Sequence, residues 1–357
     1  MVPDYTKVHI KFKLNGIGYN HENLMEVAYS YVKEGLPFQQ ELGNFLLDWL
    51  DKKDFIIVKT SGSTGKPKKI KIKKEAMVNS AIATGDFFKL KPGNKALHCL
   101  PSNFIAGKMM LIRAIVLGLE LDMVEPKAMV IINSKKSYHF CALTPMQLKN
   151  FSKNLKRFKT IIVGGGRVSE SIIESIQNIN CNIYETFGMT ETVSHIAVKK
   201  LNNFDATQTK TYFKTLPHIT ISLDDRSCLI IEAPFLSNKK IVTNDLVKLH
   251  SVTSFEWLGR YDNVINSGGI KLFPEQIEQK LQNKIVNRFF ITSIFDDTLG
   301  EKVILIVEGK TDIDTKIFES LNNFEKPREV FYVSKFQETK SGKIQRANTL
   351  KELNLHT

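Results

Sequence analysis

Short apolar runs alternate with helix-period segments over the first 260 or so residues, and this alternation limits the fold more than any other feature. FIIV at 55–58 has the length and branching of a strand, and KIKIK at 69–73 alternates like a second one. EAMVNSAIATGDFF then has helical spacing, KALHCL is strand-like, GKMMLIRAIVLG is helical and LELDMV is strand-like. HFCALT reads as another strand, and Pro145 is placed to open the helix PMQLKNFSKNL. KTIIVGGG is a strand entering a turn, Ser169 can cap ESIIESIQNI, and CNIYETFG leads from a strand into a loop. Strands that alternate with helices predict an α/β architecture with largely parallel sheet. After about Tyr261 the pattern changes: FPEQIEQKLQN is helical, while FFITSIF and KVILIVEG read as strands joined across DDTLGE. The expectation is a large α/β domain over residues 1–261 and a small α+β domain over 262–357.

A chain of 357 residues is long enough for two such cores. Its net charge of +13 raises nucleic-acid binding as a possibility, but the lysines are spread along the chain and no zinc-finger or RNA-recognition signature occurs. The densest cluster, KPKKIKIKK, adjoins a glycine-rich loop where small anions already account for it. No nucleic-acid partner is therefore expected. Cys99, Cys141, Cys181 and Cys228 form no C-x-x-C pair and lie near apolar runs, which predicts buried thiols in a reducing compartment rather than disulfides or a metal site. MVPDYTKVHIKFKL lacks the apolar centre of a signal peptide. The longest apolar stretch, MMLIRAIVLGLELDMV, is interrupted by Arg113 and by acids and is too short to cross a bilayer. A cytoplasmic protein without a membrane span is expected; the oligomeric state stays open.

The chemistry begins at TSGSTGKPKK, residues 60–69. A Walker loop requires G-x-x-x-x-G-K-[ST], whereas Thr60 sits five residues before Gly65 and Pro67 follows Lys66. The segment still suits phosphate. Gly62 and Gly65 let backbone N–H groups approach an anion, Ser61, Ser63 and Thr64 supply hydroxyls, and Lys68 supplies charge. By itself it could equally be a flexible surface loop. Three distant segments add to it: YETFGMTET, TNDLVKL followed by GRYDNVINSGGIKLFPEQIE, and ETKSGKIQR.

In this order, these four segments resemble the acyl-adenylate-forming superfamily of acyl- and aryl-CoA synthetases, adenylation domains and luciferases, over roughly residues 55–346. The resemblance implies ATP, Mg²⁺ and coenzyme A as cofactors and co-substrates. It implies that Thr60, Ser61, Gly62, Ser63, Thr64, Gly65 and Lys68 grip the β- and γ-phosphates of ATP. Gly165 and Gly166, with Phe187, Gly188 and Met189, resemble the adenine pocket; Phe187 would stack on the base, Thr190 would touch phosphate and Glu191 would help hold Mg²⁺. Asp245 and Arg260 match ribose-binding residues, Asp262 the inter-domain hinge and Lys343 the catalytic lysine of a small mobile domain. Gly268 and Gly269 would approach the pantetheine of coenzyme A once that domain has turned. Each residue has a plain structural alternative, from core phenylalanine to surface lysine; it is their joint order that is specific.

Two departures from the family pattern stand out. The usual Thr-Gly-Asp is Thr243-Asn244-Asp245, and the Phe-His before the acyl pocket is replaced by PSNFIAGK, which has no histidine. The glycine-rich loop comes so early that the large domain looks truncated at its N-terminus. The compact length, together with LPSNFIAGKMMLIRA and LTPMQL, is similar to the short o-succinylbenzoate–CoA ligases of menaquinone biosynthesis. An aromatic acid with a second carboxylate needs a cation or donors deep in its pocket. Lys108 is the first candidate and His195 the second. Another acyl- or aryl-CoA ligase, a carrier-protein adenylating enzyme, or a protein that senses nucleotide without turnover are the competing readings.

Overall fold

The predicted alternation builds the parallel half of one large sheet. The computed structural model describes residues 4–59, 69–204, 211–310, 312–339 and 342–355. The phosphate-loop candidates Thr60, Ser61, Gly62, Ser63, Thr64, Gly65 and Lys68 lie outside the described residues. The chain opens with a short hairpin, β1 (Lys13–Leu14) and β2 (Ile17–Gly18), and two helices that the alternation did not predict, α1 (His21–Glu34) and α2 (Pro37–Leu50). Asn20 caps α1 by accepting from the Asn23 amide, and Pro37 occupies the first turn of α2, where a missing N–H costs no hydrogen bond.

β3 (Phe55–Lys59) and β4 (Lys69–Lys73) pair antiparallel as a separate two-stranded sheet. Then follow α3 (Lys74–Phe88), β5 (Lys95–His98), α4 (Ile105–Leu117), β6 (Glu120–Met123), β7 (Tyr138–Leu143), α5 (Pro145–Asn150), β8 (Phe158–Val163), α6 (Glu170–Ser175) and β9 (Asn182–Gly188). Strands β1, β6, β5, β7, β8 and β9 lie side by side in that order, each parallel to the next. Helices cover both faces, so β7 and β8 are apolar on both and nearly wholly buried. On one face Phe45, Leu46, Trp49, Met77, Met110 and Phe140 form a continuous core with α1 to α4; on the other Cys141, Leu148, Phe151, Phe158 and Ile161 pack under α5. Each such side chain contributes about 1.5–3 kcal/mol by leaving water.

The parallel order ends at Gly188. β10 (His195–Lys200), β11 (Phe213–Thr215), β12 (Thr220–Leu223), β13 (Cys228–Glu232), β14 (Ile241–Ser251) and β15 (Ser254–Arg260) extend the same sheet antiparallel, to thirteen strands among the described residues. Among the described residues no α-helix separates these strands; neighbours such as β12–β13, β13–β14 and β14–β15 pair antiparallel in succession, whereas the chain passes from β11 to the far edge at β12. The expectation of a largely parallel sheet thus describes the first half of it.

A second sheet holds β16 (Ile265–Ser267), β17 (Ile270–Leu272), β18 (Phe289–Asp296), β19 (Gly300–Glu308) and β20 (Glu329–Val333). α7 (Pro274–Leu281) packs Ile277 and Leu281 on one face with Leu305, and α8 (Arg346–Glu352) packs Leu350 on the other with Phe290 and Ile306. Among the described residues no helix is long and apolar enough to cross a membrane, and the four cysteines are buried.

Candidate active site

Where β8 and β9 end, the chain makes two glycine turns, and a cavity of about 1020 Å³ opens beside them. In open α/β sheets the carboxyl ends of parallel strands are where a ligand finds free backbone groups. Gly165 holds φ at +85°, a conformation that glycine adopts without a Cβ clash. Gly188 is required for a different reason: a Cβ there would stand 2.4 Å from the Ser194 carbonyl oxygen and 2.5 Å from the His195 Cα. Gly165, Gly166, Phe187 and Gly188 all line the cavity. Phe187 is held edge-on by Phe213 and Phe255, with ring centroids 5.8 and 5.1 Å away.

Asp245 reaches the same cavity from β14. It is buried, with 6% of its surface exposed. Burial raises its pKa; the Trp257 hydrogen bond and Arg260 work against that rise, Glu275 adds to it and Lys343 opposes it. Arg260 lies directly opposite on β15, with Nη1 3.7 Å from Asp245 Oδ1. Lys343 comes from the far end of the sequence, in a turn closed by the Thr339 amide donating to its carbonyl at 2.9 Å, and it too lines the cavity. Lys343 is exposed to solvent; its desolvation by the surrounding protein, and then Arg260, lower its pKa, while Asp245 works against that fall. Arg346 donates to the Ile291 carbonyl at 2.9 Å and pairs with Glu278 at 2.8 Å, which ties the first residue of α8 to β18 and α7. Burial pushes Glu278 up to about 7 against that guanidinium.

Four separated segments thus bring Gly165, Gly166, Phe187, Gly188, Asp245 and Lys343 to one cavity. The remaining sequence candidates stand elsewhere. Met189 packs into the apolar cluster under β10, and Thr190 and Glu191 form the short 3₁₀ turn Thr190–Thr192. Glu191 is exposed there, with no cation at ion-pair distance among the described residues. Asp262 sits in the turn Tyr261–Asn263, 3.5 Å from Arg260 Nη2. Asn244 donates to its carboxylate at 3.2 Å and accepts from Arg226 at 3.1 Å, so the unusual residue of Thr243-Asn244-Asp245 ties Asp262 to β14. Gly268 and Gly269 form the tip of the β16–β17 hairpin with φ +57° and +79°, outside the cavity lining.

Lys108 is turned away from the nucleotide-sized cavity. Its ammonium donates to the Ser102 carbonyl at 2.8 Å and lies 4.4 Å over the Phe45 ring. Burial pushes it down to about 8, against the pull of Asp48 and Glu41. His195, in contrast, belongs to a buried polar cluster. Arg113, 2% exposed in the middle of apolar α4, donates to Thr84 Oγ1 at 3.3 Å and Ser194 Oγ at 3.1 Å, and approaches His195 Nδ1 to 3.4 Å. Ser194 in turn meets Ser80 Oγ at 2.7 Å. Burial pushes Arg113 down to about 9, so it remains a cation at pH 7. Burial and the Arg113 charge hold His195 well below the ordinary histidine range, so it is neutral. A guanidinium only donates, so Nδ1 accepts and the proton resides on Nε2, a buried donor without an acceptor among the described residues.

The turn that delivers this cluster is strained. Val193 adopts φ +66° and ψ −54°, which a β-branched residue avoids, at a cost of about 1–3 kcal/mol. The Thr192 hydroxyl holds it by accepting from the Met189 amide at 2.9 Å and meeting the Ser194 carbonyl at 2.7 Å. Sequence reading missed Arg113, Ser194 and Trp257. Only Arg113 left a signal, as a cation inside an otherwise apolar helix.

A family model described as AMP-binding enzyme matches residues 28–229. A 2-succinylbenzoate–CoA ligase of Listeria monocytogenes is 25% identical over 386 aligned positions, which take in 97% of this chain and 81% of the relative. The corresponding ligase of Lactococcus lactis is 23% identical, covering 84% and 71%. Among solved structures, an acyl-CoA synthetase (AMP-forming)/AMP-acid ligase II-like protein from Dyadobacter fermentans is 32% identical, covers 92% of this chain and 98% of its own, and superposes with a TM-score of 0.61. The o-succinylbenzoate coenzyme A synthetase of Bacillus subtilis, in complex with ATP and magnesium ion, shares the fold at a TM-score of 0.72 with 18% identity, over 82% of this chain and 69% of that one. The family match alone spans more than half of the 357 residues, and on that ground the chain belongs to the AMP-binding enzymes.

Proposed function

We propose that this chain is an AMP-forming acid–CoA ligase that activates o-succinylbenzoate on its succinyl carboxylate and transfers the acyl group to coenzyme A, a step of menaquinone biosynthesis. The observation that carries the reading is the convergence of Gly165, Gly166, Phe187, Gly188, Asp245 and Lys343 on one cavity of about 1020 Å³. The relatives named for this activity support the choice of acid.

In the first step a carboxylate oxygen of the acid attacks the α-phosphorus of ATP, the bond to the β-phosphate bridge breaks, and pyrophosphate leaves. Lys343 would place an ammonium where charge accumulates on the transferring group, at the edge of the cavity it lines. Phe187 offers a ring face to the base, and Asp245 accepts from the ribose hydroxyls. A Mg²⁺ ion, when bound, neutralises phosphate charge; Glu191 suits it, since this ion keeps waters and phosphate ligands and needs one or two carboxylates. In the second step the thiol sulfur of coenzyme A attacks the acyl carbon, the bond to the phosphate oxygen breaks, and AMP leaves. Our reading assigns residues 1–261 to the adenylating domain and 262–357 to a small domain that turns about Asp262 between the steps, bringing Gly268 and Gly269 to the pantetheine.

For the second carboxylate of the acid we propose Arg113 with His195, which are buried and do not line the cavity of about 1020 Å³, so the acid must open its own path to them; Lys108 is the alternative. A buried guanidinium with hydroxyl and imidazole partners but no carboxylate is an uncompensated charge. An aromatic dicarboxylate supplies the missing anion, and the His195 Nε2 proton supplies a second contact. ATP and coenzyme A as co-substrates, and four buried thiols, favour the cytoplasm as the place of action. Pyrophosphate release with a panel of acids tests the proposal. o-Succinylbenzoate is expected to give the highest kcat/KM; a preference for simple benzoates or fatty acids contradicts the assigned acid.

A further inference from the structure

We propose that Trp257 is a positioning residue for the ribose-binding carboxylate of Asp245, engaging one oxygen so that the other faces the nucleotide sugar. The proposal rests on the nucleotide reading of the cavity. Trp257 Nε1 donates to Asp245 Oδ1 at 3.0 Å, and both residues line the cavity. Arg260 approaches the same oxygen, at 3.7 Å. Among the described residues no protein donor reaches Oδ2.

The backbone explains how both donors meet one carboxylate. Residues 257 and 260 are three apart, and in a regular strand they would point to opposite faces. Leu246 lies opposite Gly259 and Val247 opposite Trp257, so Leu258 is an extra residue, and this bulge restores Trp257 to the side of Arg260. Asp245, opposite Arg260, and Val247, opposite Trp257, share that face because they are two apart. The carboxylate is buried, where a misdirected or unpaired oxygen is costly. The Asp245 amide donates to Thr243 Oγ1 at 3.1 Å, which fixes the backbone but not the carboxylate rotation. The indole N–H fixes that rotation. The charges facing Asp245 are Arg260 on β15, Glu275 on α7 and Lys343 in the C-terminal turn. Loss of the indole donor raises the Asp245 pKa further, so the acid limb of ATP binding moves to higher pH.

The test measures affinity for ATP, 2′-deoxy-ATP and 3′-deoxy-ATP in the wild-type protein, Trp257→Phe and Asp245→Asn. Phenylalanine keeps an aromatic body and removes the donor. Trp257→Phe is expected to lower ATP affinity about fivefold or more, with a much smaller loss for the deoxy analogues, so that discrimination shrinks. Equal losses for all three nucleotides, or none, overturn the proposal. If Asp245→Asn leaves discrimination intact, the ribose assignment itself fails, which is a separate result. A second measurement does not depend on the variant folding. The chain has two tryptophans, and Trp49 Nε1 has no partner among the described residues. In ¹⁵N-tryptophan spectra one indole N–H should lie downfield and shift on ATP addition. If neither indole responds to ATP, the proposal is overturned.

Discussion

The nucleotide end and the acyl end of this site are built in opposite ways. The nucleotide end draws on turns and strand ends that face an open cavity: Gly165 and Gly166 after β8, Gly188 ending β9, and Lys343 in a late turn. The acyl end, as assigned here, uses polar side chains inside the packed core: Arg113 from α4, Ser80 and Thr84 from α3, and His195 from β10. The first presents free groups to whatever enters. The second holds a buried charge whose partners are hydroxyls and an imidazole rather than a carboxylate. A general nucleotide reader can be made from loops, whereas a selective anion site must be walled by the core.

The largest effect should come from the nucleotide end. Lys343→Ala is expected to slow adenylate formation by about two orders of magnitude or more, the scale of removing one electrostatic contact to a transition state. Conversion of supplied acyl-AMP to thioester should persist if, as proposed, the small domain has by then turned and withdrawn the lysine. Equal losses in the two half-reactions would break the assignment of Lys343 to the first step.

The smallest effect should come from Lys108→Ala. Its ammonium is spent on Ser102 and the Phe45 ring, so KM for the acid should change less than about twofold. Loss of a desolvated cation–π contact costs about 1–2 kcal/mol and should appear as a lower thermal midpoint. A strong rise in KM without loss of stability would return the second carboxylate to Lys108 and erase the contrast between the two ends.

The same contrast explains what could be read from sequence. The parallel strands were legible because a strand covered on both faces reads as a short apolar run, as FCAL and IIV do. The antiparallel half was not, because β10 to β15 carry mixed burial and, among the described residues, no intervening α-helix marks them. Asp245, Phe187 and Lys343 were legible because each sits in a short motif whose neighbours recur together. Arg113 was visible only as an oddity in an apolar helix, since its partners lie 29, 81 and 82 residues away and only packing joins them. Trp257 was hidden by a bulge, as strand alternation alone places it on the wrong face.

The central claim is that Arg113 answers the ring carboxylate of the acid. It is tested by measuring kcat/KM for o-succinylbenzoate and for 4-oxo-4-phenylbutanoate, which lacks that carboxylate, in the wild-type enzyme and in Arg113→Met. The wild type should prefer the dicarboxylate by about ten- to a hundredfold, the worth of a charged hydrogen-bonded contact. In Arg113→Met the preference should fall to near unity while KM for ATP stays the same. A preference that survives the substitution undiminished would contradict the account.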